Sequence, residues 1–476
     1  MGKITKNYIY NLGYQLFSML VPIVTAPYLA RVLGADQLGI YSYVNSSSNI
    51  VFTISMLGTY AYGNRQVAYT RGNPDKLNQT FWEVLIARGI LGIFGTAFFV
   101  CYSLLNQRYL IYFILYYPYV LSNFIDCTWL YVGLEEMKTA VIKNFVCRIL
   151  NVIGIFTLVR GPEDLWIYIS LLAGTTFFTM VIIFFQLHQI VQKPAFSWKE
   201  IKKNIKESAK LFLPQIAALL YLQVDKVMIE WITHQTAQLS FYEQAEKIIN
   251  IPLSIITVLG TVIMPRIANE YIHNNMDVIQ ALLLKAGKVA LFMACPMMVG
   301  LFCVAEQTIP WYLGKEFMPV SGVMMILAPI VVLNALSSIA GAQYFTATNQ
   351  IGIMMKAYVA AAVMNIICNS FLIPVMGCYG AAIATVLSSL ASTLIQYFFL
   401  VKQIALGKMI GSGIKYFLCA LLMGGAIFML KDLPATPLTT MIEIIVGIIV
   451  YMALMLLVHD EVLLAILSKV ENFMKN

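Results

Sequence analysis

Long apolar runs separated by short polar breaks fill the chain from residue 8 to residue 458. A helix needs about 20 mostly apolar residues to cross the hydrocarbon of a bilayer. The pattern supplies about 14 such runs, at 8–32, 37–62, 81–105, 110–133, 140–160, 164–187, 210–231, 239–264, 283–305, 320–343, 354–374, 379–401, 412–430 and 438–458. Lipid offers no partner for backbone polar groups, so only helices and closed barrels can span it, and barrel strands show a weaker, alternating pattern. The runs therefore predict an all-α integral membrane protein. The first run follows Lys3 and Lys6, but its length and the lack of a small-residue cleavage site make it a span rather than a removable signal peptide.

The longest polar stretch, 188–209, separates six runs from the remaining eight. Within it Ser197 and Glu200 have capping-box spacing, Ile201, Ile205 and Phe212 fall near one face, and Lys199, Lys202, Lys203 and Lys206 fall on others. This predicts a basic amphipathic helix on the inner membrane surface, with a solvated hinge as the alternative. The expected organisation is an N-lobe at 1–190, a cytoplasmic amphipathic linker at 191–209, a C-lobe at 210–405, and two last spans with an amphipathic tail at 406–476. The halves repeat weakly. At an offset of 201, Gln37-Leu38 meets Gln238-Leu239, Tyr41 meets Tyr242, Asn45 meets Glu246 and Asn49 meets Asn250; Leu57-Gly58-Thr59 meets Leu259-Gly260-Thr261 one residue later. Six intervening spans make the repeat parallel, and transporters commonly hold substrate where such repeats meet.

Composition agrees, with 60% hydrophobic and only 11% charged residues leaving no room for a soluble domain. With both termini inside, 22 of the 31 lysines and arginines fall on cytoplasmic segments and flanks, 5 outside and 4 within spans, which fixes the expected orientation. The net charge of +8 thus describes a face suited to anionic lipid and not a nucleic-acid footprint. Eight cysteines without C-x-x-C spacing read as apolar fillers, and four scattered histidines form no metal cluster. No nucleophile elbow, Walker loop or dinucleotide fingerprint appears in context, so neither enzyme chemistry nor an organic or metal cofactor is expected.

Polar groups inside the runs carry the candidate chemistry. Asn45, Ser46, Ser47, Ser48 and Asn49 are consecutive in the second run. Serines can return their hydroxyls to the helix or join helices together; the asparagines, stacked with Tyr41 at intervals of four, suit a hydrated cavity that meets sugar hydroxyls. Asp225, Lys226, Glu230, Glu243, Glu246 and Lys247 form a charge group in runs seven and eight. Such charges normally face a bundle interior or water. Lys226 with Glu230, and Glu243 with Lys247, are candidate charge pairs, which leaves Asp225 and Glu246 to accept H+ or Na+, or to hold helix register. Asp126, Arg88 and Arg148 lie near the cytoplasmic surface, where the arginines can snorkel or bind a pyrophosphate. Pro22, Pro27, Pro252 and Pro296 predict kinks, and Tyr112, Tyr116, Tyr117 and Tyr119 read as an interfacial belt more readily than as a sugar platform.

The stretches PYLARVLGADQLGIYSY, LGTVIMPRIANEY and NIICNSFLIPVMGCYGAAIATVLSS resemble the polysaccharide transporter family, the Wzx-type flippases of the multidrug, oligosaccharidyl-lipid and polysaccharide exporter superfamily, over essentially the whole chain. The resemblance implies two six-helix lobes around a central cavity plus two C-terminal helices. It also implies alternating-access movement of an undecaprenyl-pyrophosphate-linked oligosaccharide to the outer leaflet of the bacterial cytoplasmic membrane. Arginines bind the anionic head group in related flippases, and Arg31, Arg88 and Arg148 are the matching residue types. Tyr41, Asn45, Ser48, Asn49, Tyr242 and Asn250 complete the expected binding set, with a polysaccharide polymerase and a chain-length regulator as expected partners. Competing readings are an ion-coupled multidrug antiporter, a teichoic-acid or peptidoglycan-precursor flippase, and a membrane glycan polymerase or ligase.

Overall fold

The computed structural model describes residues 3–475 apart from 193, 211 and 406; some side chains, chiefly before residue 20 and at 137–140, 258–262, 469–475 and within 213–222, are outside the description. Every regular element among the described residues is helical. In order these are α1 (Lys3–Met56), α2 (Thr59–Thr70), α3 (Pro74–Leu105), α4 (Leu110–Ile125), α5 (Thr128–Gly133), α6 (Met137–Leu158), α7 (Leu165–Phe185), α8 (Trp198–Lys210) and α9 (Phe212–Thr233). There follow α10 (Thr236–Ile272), α11 (Met276–Tyr312), α12 (Pro319–Leu327), α13 (Ile330–Ser338), α14 (Ile351–Met376), α15 (Cys378–Leu400), α16 (Gly407–Phe428), α17 (Pro437–Leu457) and α18 (Glu461–Lys475). Ten helical segments among the described residues are long and apolar enough to cross a membrane. The expected spans at 8–32, 37–62, 210–231 and 239–264 fall on α1, α2, α9 and α10, of which α1, α9 and α10 contain side chains outside the description. The chain is an all-α, multi-pass membrane protein.

The chain divides into two compact units, residues 1–230 with 235–240, and 231–234 with 241–476. Residues 191–230, expected in a linker and the second lobe, therefore group with the first unit. The linker is stitched down. Asn78 Oδ1 accepts from Gln192 N at 2.9 Å, Trp82 Nε1 donates to Gln192 O at 3.0 Å, and Glu83 Oε1 accepts from Ser197 N at 3.1 Å. The helix expected on a membrane surface forms as α8, but the face carrying Ile201, Asn204 and Ser208 is buried, and Asn204 Oδ1 accepts from Tyr62 at 2.7 Å. Ile201 of its apolar face is thus packed on protein, with Ile205 half-buried.

In the first unit α1 is two helices meeting at Gly34, whose φ of 77° and ψ of 176° only glycine adopts without a steric penalty. One residue therefore turns the chain between the first two runs. The second run breaks again at Leu57 (φ 43°) and Gly58 (φ 73°) before α2 begins. The run expected at 110–133 breaks at Asp126, whose extended backbone ends α4, while its carboxylate accepts from Thr128 N at 2.8 Å and restarts the chain as α5. At this level Phe81 stacks on Trp129 with centroids 5.6 Å apart, and a Cβ on Gly63 would sit 2.7 Å from the Trp129 ring. Aromatic bulk beside a missing side chain lets α2 and α5 approach closely.

The second unit contains a polar seam inside an apolar shell. Asn365 and Asn369 on α14 are fully buried and bonded at 3.0 Å, and Gln396 on α15 donates to Ser337 on α13 at 2.9 Å. Unpaired amides are costly in a low-dielectric interior, so the Gln396–Ser337 bond fixes which faces of α13 and α15 meet, while Asn365 and Asn369 pair within α14. After α13 the chain takes a π-helical turn at Ile339–Phe345. Near the C-terminus, buried Asp460 accepts from Lys415 of α16 and from the backbone amide of Val462 at 2.9 Å, and Lys288 of α11 meets Glu461 at 2.6 Å. These contacts anchor α18. Leu259, Gly260 and Thr261 of the expected repeat have side chains outside the description.

Candidate functional site

The five-residue polar run in α1 separates by helical position. Ser46, Ser47 and Ser48 are buried, while Tyr41, Asn45 and Asn49 stay half-buried on one face at intervals of four. Ser48 returns its hydroxyl to Val44 O at 2.6 Å and is 1% exposed, which removes it from the expected binding set. Ser47 accepts from Tyr102, whose hydroxyl also lies 2.9 Å from that of Tyr43 in a network reaching Asn106. That side of the helix is committed to packing.

The Tyr41, Asn45, Asn49 face is lined by tyrosines from two neighbouring helices. Asn49 Nδ2 donates to Asn45 Oδ1 at 3.0 Å, and Tyr116 on α4 donates to the same oxygen at 2.7 Å. Tyr119 stacks on Tyr116 with centroids 4.8 Å apart, and Tyr41 lies 4.8 Å from Tyr168 of α7. Tyr116 and Tyr119 thus belong to this face, which corrects their reading as an interfacial belt. Their separation of three residues on one helix was the available signal; the partner across the helix interface was not. Tyr168 carried no signal at all. Amides and phenols side by side offer donors, acceptors and ring faces together, the combination that suits a hydroxyl-rich ligand.

The arginines have different roles in the structure. Arg88 is 1% exposed and donates to Thr59 Oγ1 at 3.1 Å and to Asn123 O at 2.6 Å. Thr59 opens α2 after the Leu57-Gly58 break, and Asn123 is at the end of α4 where carbonyls lose their helical partners. One guanidinium therefore holds both breaks, and Arg88 is a clamp rather than an open anion site. Asp126 caps the α4–α5 break beside it. Arg148 is half-buried and interacts electrostatically with the Tyr119 hydroxyl. Arg31 is exposed, donating to Pro27 O at 3.3 Å.

The charge group is largely buried. Asp225, Lys226 and Glu230 on α9 are all inaccessible, and Glu230 accepts from Tyr109 and lies 3.6 Å from Arg108. Those partners, from the turn before α4, were not legible in sequence. In the second unit Lys247 meets Glu243 at 2.6 Å, four residues apart. Glu246 is half-buried and Asn250 exposed, whereas Tyr242 is buried and shares a 2.9 Å hydrogen bond with Thr385. The Tyr41 and Tyr242 positions of the repeat thus differ in accessibility.

A many-spanning helical fold with an amide- and phenol-lined interior face defines a membrane transporter-type protein. Residues 4–270 match the profile of the polysaccharide biosynthesis protein family. The chain belongs to that family. It is 22% identical over 378 residues, 76% of this chain and 88% of the relative, to a protein of Escherichia coli (strain K12) assigned as an O-antigen transporter. It is 27% identical over 307 residues, 64% of this chain and 63% of the relative, to a protein of Haloferax volcanii assigned as the low-salt glycan biosynthesis flippase Agl15. Its fold resembles the inward closed conformation of the lipid II flippase MurJ, with a TM-score of 0.73 at 16% identity over 96% of this chain and 100% of that one.

Proposed function

We propose that the chain is a flippase that moves a lipid-linked oligosaccharide repeat unit from the inner to the outer leaflet of the bacterial cytoplasmic membrane for surface polysaccharide assembly. The observation that carries this reading is the half-buried Tyr41, Asn45, Asn49 face with Tyr116 and Tyr119 beside it, inside a family of polysaccharide biosynthesis proteins. Half-buried amides and phenols side by side along a membrane helix match sugar hydroxyls and C–H faces. In this reading Arg148 and Arg31 meet the pyrophosphate, both termini are cytoplasmic, and Asp225 and Glu246 are the candidates for H+ or Na+ coupling. A polymerase and a chain-length regulator then consume the delivered units.

Purified full-length protein in liposomes, supplied with a fluorescent polyprenyl-pyrophosphate oligosaccharide in the outer leaflet, tests the reading. Accelerated loss of reagent-accessible probe relative to empty liposomes is expected. Equal rates would refute it, and transport of cationic dyes instead would favour the antiporter.

A further inference from the structure

A second site stands apart from the tyrosine-lined face. In the second unit, α10, α11, α13 and the π-helical turn after it enclose a pocket of about 410 Å³, with Arg266 and Lys285 at its edge, Ser338 and Gln343 on its wall and an apolar floor including Leu282 and Val289. No acidic side chain lines it among the described residues, and neither cation has an ion-pair partner there. Glu270, one helical turn beyond Arg266, is engaged by Asn275 at 2.8 Å.

Gln343 makes the pocket more than two basic side chains on a surface. It is 5% exposed, and its carbonyl oxygen has no hydrogen-bond partner. An amide oxygen left unpaired inside a protein is costly, and it is held there by a π-helical turn, an irregularity frequent at functional sites. The oxygen requires a donor from outside the chain. Arg266 and Lys285, both exposed at its edge, are available to an anion. Val289 lines both this pocket and a neighbouring apolar groove of about 540 Å³ formed with Pro252, Phe292 and Tyr451. A ligand that fills both has an anionic head with hydroxyl groups and a hydrocarbon tail.

We infer that Arg266, Lys285 and Gln343 form a headgroup pocket for a membrane lipid carrying a phosphoryl group with a hydroxylated substituent. The guanidinium and ammonium take phosphoryl oxygens and the Gln343 oxygen accepts from a hydroxyl, as in a phosphoglycerol or a sugar phosphate. The inference does not depend on transport, because it concerns equilibrium binding to one unit.

The test is binding of lipids to the purified full-length protein in neutral detergent, read by native mass spectrometry and by lipid-dependent thermal shift. The probes are phosphatidylglycerol, phosphatidic acid, phosphatidylethanolamine, undecaprenyl pyrophosphate and inorganic phosphate. The wild type should retain the anionic lipids over phosphatidylethanolamine, and Arg266→Gln with Lys285→Gln should weaken them at least about tenfold, the loss expected for one charge-assisted hydrogen bond. Gln343→Leu should weaken phosphatidylglycerol but spare phosphatidic acid, which lacks the hydroxylated substituent. Preference for phosphatidylglycerol assigns the pocket to bulk phospholipid, and preference for undecaprenyl pyrophosphate assigns it to a cargo-type lipid. Binding of inorganic phosphate with no gain from a tail would overturn the lipid assignment. Equal retention by wild type and double variant, with Lys402→Gln as a control elsewhere on the same unit, would overturn the pocket itself. Lys285→Gln alone and Gln343→Leu carry the test if the double variant does not fold.

Discussion

At the scale of single residues, neighbours on one helix have opposite fates. Asn45 and Ser48 sit three positions apart, yet one is half-buried and accepts from side chains on two helices while the other donates to its own backbone. Asn45→Ala is expected to lower surface glycan or liposome transport about fivefold to tenfold, the value of one to two hydrogen bonds lost. Ser48→Ala is expected to leave transport unchanged, and equal loss in both would remove the face from the site. Arg88→Ala should act differently, lowering the melting temperature by several degrees because Thr59 and Asn123 lose a buried cationic donor, a loss of about 3 kcal/mol. Unchanged melting would contradict the clamp. Residue types flagged these positions correctly as chemically unusual; what sequence did not carry was the identity of the partner, since Thr59 and Asn123 are 29 and 35 residues away.

At the scale of elements, continuity was the hardest property to read. The runs 37–62 and 110–133 are each long enough for one span, so each looked like one helix, but backbone signals at Gly58 and Asp126 interrupt both. Hydropathy reports where a segment resides, whereas dihedral preference and side-chain capping decide where it bends. The same distinction applies to α8, whose pattern announces a helix but not its contact with Tyr62, 142 residues earlier. Gly63→Ala is expected to destabilise the α2–α5 contact by about 1–3 kcal/mol through overpacking against Trp129, measurable as a lowered melting temperature. The anchoring of α18 should depend on pH. Burial alone would raise the Asp460 carboxyl, but the Lys415 ammonium, the Leu463 amide and the Tyr416 hydroxyl outweigh it and hold it below the usual range. A carboxyl depressed in the folded state contributes stability above its unfolded value of about 3.9 and loses that contribution as pH falls through the lower folded value. Hydrogen exchange in α18 should therefore be protected at neutral pH and rise on acidification below about pH 4, while Asp460→Asn should expose it at both.

For the whole molecule, fold class was the most legible property, because a bilayer leaves so few solutions for a chain of continuous apolar runs. The allocation of residues 191–230 was not, because Gln192, Ser197 and Asn204 are claimed by contacts to Asn78, Glu83 and Tyr62 that no local pattern encodes. The lysine and arginine distribution makes a checkable statement about sidedness: a cysteine at Lys199 should react with an impermeant maleimide only in inverted vesicles, and one at Glu163 only in intact cells. The reverse pattern would invert the proposed direction of transport.

The Arg88 clamp has a consequence for biogenesis. The third crossing must enter the membrane carrying a cation, which is unfavourable there by at most about 2.5–3.5 kcal/mol. One of its acceptors, Thr59, is synthesised earlier and the other, Asn123, later. Integration of this helix is thus coupled to the arrival of the next one, and the nascent chain has reason to leave the translocon as a hairpin rather than one helix at a time.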